Sequence, residues 1–464
     1  MEFLGDPCHP VDWVLFKHNL ASTDMRNIFN ERSFIEKILR VEAALAEAEA
    51  ELGIIPEKAA REIVEKASLE YIDLERVEQI VRSTGHFLVA IIESWREKIG
   101  ESGEFIHWGA TTQDISDTAM MLLIREACSL ILSDLIEIRG FLTILADKYK
   151  DTPMAGRTHC VHAVPITFGF KVGVWLDEIS RHIERFKEIQ KRLFVGNITG
   201  AVGTFAGFGP KGPEVQKLTL KKLGLEAPAI CWHAARDRIA EFLNLLAIIA
   251  STLSKIANQV LILMRPEILE IEEPIPPSHV GSSTMPQKRN PFLSETSIAL
   301  ARIIRAYAHT MTESMETLDE RNFSTWFVEF VIIPESCFFI SIILKNLKTI
   351  LQKLEVHPEN MKRNLELTGG LINAEAVMMV LARKIGRQRA HSIVYECAMK
   401  AQREKRPFID VLLENKTITE HISEQDLEKL LDPASYTGLS SDIVKQLITS
   451  QKVSRNSLES RRDI

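Results

Sequence analysis

The sequence predicts an all-α protein of three helical domains, and three observations predict it. Long segments carry neither glycine nor proline, apolar residues recur at three- and four-residue intervals, and the strict alternation of a half-buried strand is missing from them. Four segments stand out: Gln113–Arg139, Ala229–Arg265, Phe292–Ile333 and Glu335–His357. At about 1.5 Å of rise per residue, such segments span roughly 40–60 Å if continuous. A chain of 464 residues, 45% hydrophobic and 26% charged, buries a substantial core without disulfide or metal staples.

The first legible helix carries Phe34, Ile38, Val41, Leu45, Ala48 and Leu52 as one stripe. Ser33 with Glu36 reads as its capping box, and Gly53 and Pro56 stop it. The second begins near Gln113, a third opens around Pro165, and a fourth carries Leu243, Leu246, Ile249, Leu253, Ile256 and Val260. Phe242 to Met264 is apolar nearly all round, yet Asn244, Ser254, Lys255, Asn258 and Gln259 interrupt it, so it reads as a buried helix and not a membrane span. Such a helix needs cover on every side, which central helices from other copies of the chain would supply. The expected division is an N-terminal domain over 1–108, a central long-helix domain over 109–358 and a C-terminal helical domain over 359–464.

Lys+Arg 56 against Asp+Glu 63 leaves a net charge of −7, so no global basic field draws the chain to nucleic acid or an anionic membrane. Six scattered cysteines form no CxxC pair, and the N-terminus shows no charged-then-apolar leader, which together point to a reducing cytoplasm.

Polar, glycine-rich segments lie between the helices. In His107–Ala119, Thr111, Thr112 and Gln113 precede a helix whose first turns carry Asp114 and Asp117; this suits either an anionic ligand or simple N-capping. Gly156–Gly169 places His159 and His162 in a loop beside Arg157 and Thr158. Histidine titrates near neutrality and suits proton transfer; a His-x-x-His pair without a third ligand argues against metal. Gly281–Glu295 gathers two serines, Lys288, Arg289 and Asn290 just ahead of a helix start at Pro291, an electropositive arrangement. Cys231–Glu241 and Asp319–Phe330 mix arginine with aromatic residues inside a helical pattern, whose default reading is an exposed salt-bridge face.

GSSTMPQKRNP, within a loop over 277–291, resembles the signature loop of the fumarase/aspartase superfamily, and HWGATTQD and GRTHCVHA match its two other characteristic regions in order. STDMRNIF, EAALAEAEAELGIIP, PENMKRNLELTGGLI and LLDPASYTGLSSDIV resemble the branch holding adenylosuccinate lyase and 3-carboxy-cis,cis-muconate cycloisomerase. The resemblance implies an all-α homotetramer whose central helices form a common bundle and whose active sites are each shared between subunits. It implies anti elimination from a succinyl unit with release of fumarate, on a small dicarboxylate substrate, without cofactor or metal. On this likeness Ser282 is the base and His159 the residue that protonates the leaving group. Lys288 and Asn290 bind the carboxylate that takes up charge, and His86, Thr111, Thr112, Thr158 and Arg321 contact substrate.

The chain departs from adenylosuccinate lyase where that enzyme holds phosphate. Trp326 and Phe330 stand where the pattern carries a serine and an arginine that contact phosphate, and DWVLFKHNLAS lacks its arginine-tyrosine pair; apart from phosphate, Trp232 replaces a glutamine and His86-Phe87 replaces His-Asp. An indole and a phenyl ring cannot replace the charge-assisted donors a phosphate requires. WHAARDRIAE and the segment around Trp326 and Glu329 look like the cycloisomerase, which commonly has tryptophan where this chain keeps His159. The expectation is a fumarate-forming lyase for a succinyl-substituted amine or related adduct without phosphate, with Trp232, Trp326 and Phe330 forming the leaving-group pocket. Cycloisomerase, adenylosuccinate lyase proper and an inactive homologue are the alternatives.

Overall fold

The computed structural model describes residues 8–275 and 284–459. It is mostly helical, and long helices dominate: Glu31–Glu51, Thr112–Lys148, Phe168–Leu193, Asp237–Leu263, Phe292–Glu313 and Phe323–Gln352. Two compact units can be distinguished, each drawn from three stretches of chain. The first comprises Met1–Leu135, His182–Leu253 and Thr296–Lys345; the second comprises Ile136–Arg181, Ser254–Glu295 and Asn346–Ile464.

The first unit buries the predicted stripes. Ile38, Val41, Leu45 and Ala48 are fully enclosed, as are Leu243, Leu246, Ile249 and Leu253. Enclosing each large aliphatic side chain stabilises the fold by about 1.5–3 kcal/mol. The predicted capping box is corrected: the helix begins three residues earlier, at Glu31, and its cap is Asn30, whose side chain accepts from Ser33 N at 2.9 Å. The stop falls as expected, with Gly53 in the left-handed region just past Glu51.

Three long segments also break differently from their glycine and proline spacing. Thr112–Lys148 runs straight through Gly140. Helix Asp237–Leu263 starts late, because Cys231–Arg236 is held in irregular form by side chains: the His233 carbonyl accepts from Gln113 Nε2 at 3.0 Å and Arg236 Nη1 at 3.4 Å. Phe292–Ile333 is interrupted between Glu313 and Phe323, where Asp319 turns left-handed (φ 55°) and Asn322 Oδ1 accepts from Ser324 N. Pro334, expected to end a helix, lies inside Phe323–Gln352.

Helices Asp237–Leu263 and Phe323–Gln352 have the length and apolarity of a membrane span, yet half and two-thirds of their most apolar windows are buried inside the protein. Ile248 (50% exposed), Phe327 (54%) and Val331 (48%) remain on their open faces.

In the second unit the loop expected around His159 is a hairpin: β1 (Pro153–Thr158) pairs antiparallel with β2 (Val161–Thr167). Pro165 lies in β2, so the following helix opens at Phe168 and not around the proline. A bulge at Gly156 brings its backbone so near Val164 O that a Cβ would stand 2.5 Å away, which requires glycine. A separate apolar core of Val377, Leu381, Val394, Phe408, Leu412 and Leu427 holds the C-terminal helices.

Candidate active site

Within the first unit, four of the expected substrate contacts converge on one cleft. Gly85 ends helix Leu74–Thr84 at φ 70°, and His86 caps the next helix, its Nδ1 accepting from Val89 N at 3.3 Å. A ring nitrogen that accepts bears no proton, so neutral His86 carries its hydrogen on Nε2. That atom lies 3.4 Å from Thr112 Oγ1, and Arg321 Nη1 donates to Thr111 Oγ1 at 2.9 Å. With Phe87, Gln113, Phe323 and Trp326 these groups line a cleft of about 500 Å³. An imidazole N–H, two hydroxyls and a guanidinium form a donor set for a carboxylate.

The helix start beside them is already occupied. Asp114, fully buried, accepts from Thr111 N at 3.1 Å, Thr199 N at 2.9 Å and Gly200 N at 2.8 Å, and from His233 Nε2 at 2.9 Å. It therefore serves as an internal cap that ties the 197–200 loop to the floor of the cleft.

Behind the cleft lies a buried charge network. Arg236 donates to Asp117 Oδ2 and Oδ1 at 2.8 and 3.0 Å and to Glu329 Oε1 at 2.7 Å. Trp326 Nε1 donates to Asp117 Oδ1 at 3.1 Å, and Gln113 Nε2 donates to its other oxygen at 3.1 Å. Burial pushes the Glu329 carboxyl upward, and Arg236 opposes this. The expected exposed salt-bridge face is thus corrected: Arg236 is 2% and Glu329 3% exposed. One guanidinium is shared between two acids, so this network offers no spare cation to an anion.

The three aromatic residues assigned to a leaving-group pocket are not gathered there. Trp326 faces the cleft, with Phe330 packed against it at 5.3 Å and against Phe87 at 5.8 Å between ring centroids. Trp232 is buried elsewhere, its Nε1 donating to Gly196 O at 2.9 Å with the Arg236 guanidinium 4.9 Å over its ring. The cleft takes its apolar wall from Phe87, Phe323 and Trp326 instead.

Thr158 and His159 belong to the second unit, exposed at the tip of the hairpin, where His159 (φ 52°) and Cys160 (φ 65°) form the turn. Arg157 anchors the hairpin through a two-pronged pair with Glu270 at 2.7 and 2.9 Å, and Asn364 Nδ2 donates to the same carboxylate at 2.9 Å. Burial pushes the His162 imidazole down, with Arg157 adding to the effect.

Lys288 is exposed and Asn290 half-buried in the same unit; Ser282 lies outside the described residues. The electropositive reading of this stretch is corrected in two respects. Arg289 is paired with Glu355 at 3.0 Å and Glu272 at 3.4 Å. The start of helix Phe292–Glu313 is filled by Glu273, which accepts from Leu293 N and Ser294 N at 3.0 Å and from Ser294 Oγ at 2.6 Å.

A family model described as lyase matches residues 17–305, and one described as adenylosuccinate lyase C-terminus matches residues 370–447. The chain belongs to the fumarase/aspartase superfamily. It is an enzyme of the lyase family. Among superfamily relatives, adenylosuccinate lyase of Methanocaldococcus jannaschii is 45% identical over 96% of each chain. N-acetyl-S-(2-succino)cysteine lyase of Enterococcus italicus is 43% identical over 95% of this chain and 97% of its own. The solved 3-carboxy-cis,cis-muconate lactonizing enzyme of Pseudomonas putida has a TM-score of 0.88 at 34% identity, covering 94% of this chain and 99% of that one. Likeness to both adenylosuccinate lyase and the muconate enzyme matches the branch that the motifs resemble.

No site role was expected of Phe87, Phe323 or Asp117, whereas Gln113 stood in the candidate anion-binding segment and capping by Asp114 was the other reading of it. Spacing held a signal for Asp117: it stands three residues after Asp114 on one helix face, and the two reach neighbouring groups, His233 for Asp114 and Arg236 for Asp117.

Proposed function

We propose that this lyase removes fumarate by anti elimination from a succinyl adduct whose leaving group carries no phosphate. The observation that carries the reading is the cleft's composition: donors for a carboxylate on one side, and on the other an aromatic wall backed by two acids around one committed arginine. A phosphate there would meet rings and carboxylates where it needs cations. Of the two relatives above, the one named for N-acetyl-S-(2-succino)cysteine acts on a substrate without phosphate. A succino-thioether or a succinyl-amine is therefore the substrate class.

In the proposed reaction Ser282 removes the proton on the carbon beside a carboxylate, and the charge passes into that carboxylate as an aci-anion. Lys288 and Asn290 stabilise it, while His86, Thr111, Thr112, Thr158 and Arg321 hold the succinyl half. The carbon–heteroatom bond breaks as His159 supplies a proton to the leaving group, giving fumarate and a neutral thiol or amine. Oriented donors to developing charge typically contribute about 3–4 kcal/mol each. The enzyme works as a homotetramer with shared active sites, and the unpaired state of its cysteines supports a reducing, cytoplasmic setting.

The test is a panel of N-acetyl-S-(2-succino)cysteine, succinyl-amines and adenylosuccinate, with fumarate release followed by absorbance. The phosphate-free adducts are expected to turn over at least about tenfold faster in kcat/KM, the equivalent of one lost charge-assisted contact. Preference for adenylosuccinate would overturn the reading.

A further inference from the structure

Lys288 and Asn290 stand in a stretch without regular structure, and the second unit holds that stretch at two points. The first is Arg289. β3 (Ile271–Glu272) pairs antiparallel with β4 (Glu355–Val356), so Glu272 and Glu355 lie opposite each other in register. Arg289 spans that pair, Nη2 reaching Glu355 at 3.0 Å and Nη1 reaching Glu272 at 3.4 Å, while His357 Nε2 stands 2.9 Å from the other Glu272 oxygen.

The second point is Glu273, which is buried. Its two oxygens accept from Leu293 N and Ser294 N at 3.0 Å and from Ser294 Oγ at 2.6 Å, across the start of helix Phe292–Glu313. Burial pushes the carboxyl up, and those donors oppose the shift. A carboxylate at this end of a helix also complements the helix dipole.

The link from that helix start back to Asn290 is stiff. Proline, here Pro291, holds φ at about −65° and confines the residue before it to extended conformations. Phe292 N donates to Asn290 O at 2.9 Å as well. A shift at Leu293 and Ser294 is therefore passed on to Asn290 and its neighbours.

We propose that Glu273 is a positioning residue for Lys288 and Asn290, fixing where they stand through the helix start it caps. It touches no reacting atom itself. The proposal rests on the lyase reading for the roles of those two residues. A misplacement of about 1 Å in groups that stabilise a transition state costs up to about a hundredfold in rate. Lys288 and Asn290 are assigned to charge that develops as the proton leaves, so the loss falls chiefly on kcat and not on KM.

The experiment compares wild type, Glu273→Gln, Lys288→Ala and the double variant, on the succinyl adduct that the wild type turns over fastest. Glutamine keeps the length of the side chain and one acceptor oxygen, and thermal midpoints verify that each variant is folded. In Glu273→Gln, kcat is expected to fall by about tenfold to a hundredfold with KM held within about twofold. In the Lys288→Ala background that factor should shrink at least about threefold, because the two residues act on one group. Amide exchange over residues 285–292, read without substrate, should quicken in Glu273→Gln. An equal factor in both backgrounds would overturn the proposal, as would a raised KM with kcat unchanged, or unchanged exchange. Should Glu273→Gln not fold, Ser294→Ala, which removes only one of the three donors, is read in the same way. A wild type that releases fumarate from no adduct defeats the lyase reading alone, and exchange then decides whether Glu273 holds this stretch.

Discussion

Glu49 is fully buried, and neither of its carboxylate oxygens has a hydrogen-bond partner. Burial, with nearby Glu42, pushes its carboxyl from 4.5 up to about 9. The folded state therefore keeps a proton that the unfolded chain releases near 4.5, and stability falls as pH climbs between those two values. The slope is about 1.4 kcal/mol per pH unit for one such group. Glu49→Gln should remove that slope, so its advantage in thermal midpoint over the wild type should widen from pH 6 to pH 8. Parallel curves would show that Glu49 ionises freely in the fold. At this scale the sequence was legible where chemistry leaves a motif: His86, Thr111, Thr112 and Arg321, each picked from a matched segment, line one cleft. It was not legible at Trp232, because position along the chain does not reveal which side of a backbone segment an indole enters.

Among the elements, the hairpin β1–β2 depends on a buried ion pair. Glu270 is fully buried and the Arg157 side chain 15% exposed, so each neutralises a charge that would otherwise be stranded. Glu270→Gln should lower stability by about 3–5 kcal/mol, whereas replacing both partners by apolar residues should cost less than either single change. Thermal midpoints of Glu270→Gln, Arg157→Met and the double variant measure this; a double variant worse than both singles would contradict it. Helix positions were read well because their apolar stripes have a period that few other structures share. The hairpin was missed because RTHCVHAVPIT lacks a Gly-Asn or Asn-Gly turn, and its two-residue turn is built from histidine and cysteine. Cys231–Arg236 was read as helix because its side-chain partners lie more than a hundred residues away, at Gln113, Asp114 and Asp117.

At the scale of the whole molecule, Ile248, Phe327 and Val331 leave apolar surface open on two long helices. That surface supports the proposed assembly, although a single stripe including Asn244 and Lys255 shows that Asp237–Leu263 is not uniformly apolar around its girth. The proposed shared sites make a mixing experiment decisive. His159→Asn and Arg321→Ala should each be inactive, yet oligomers re-formed from an equal mixture should regain about a quarter of wild-type activity, the chance that both contributing subunits are intact at one site. Mixtures that stay inactive would place both residues in the same subunit's site.

The hairpin tip bears on how the proposed proton donor is aimed. At φ 52° and 65°, His159 and Cys160 leave the chain along bearings that neither a helix nor an extended strand offers. The left-handed backbone thus sets the direction of the His159 Cα–Cβ bond, and the two side-chain torsions beyond it set the heading of the ring. With Thr158, His159 and Cys160 all exposed, that imidazole stands at the open surface of its unit and not behind a wall.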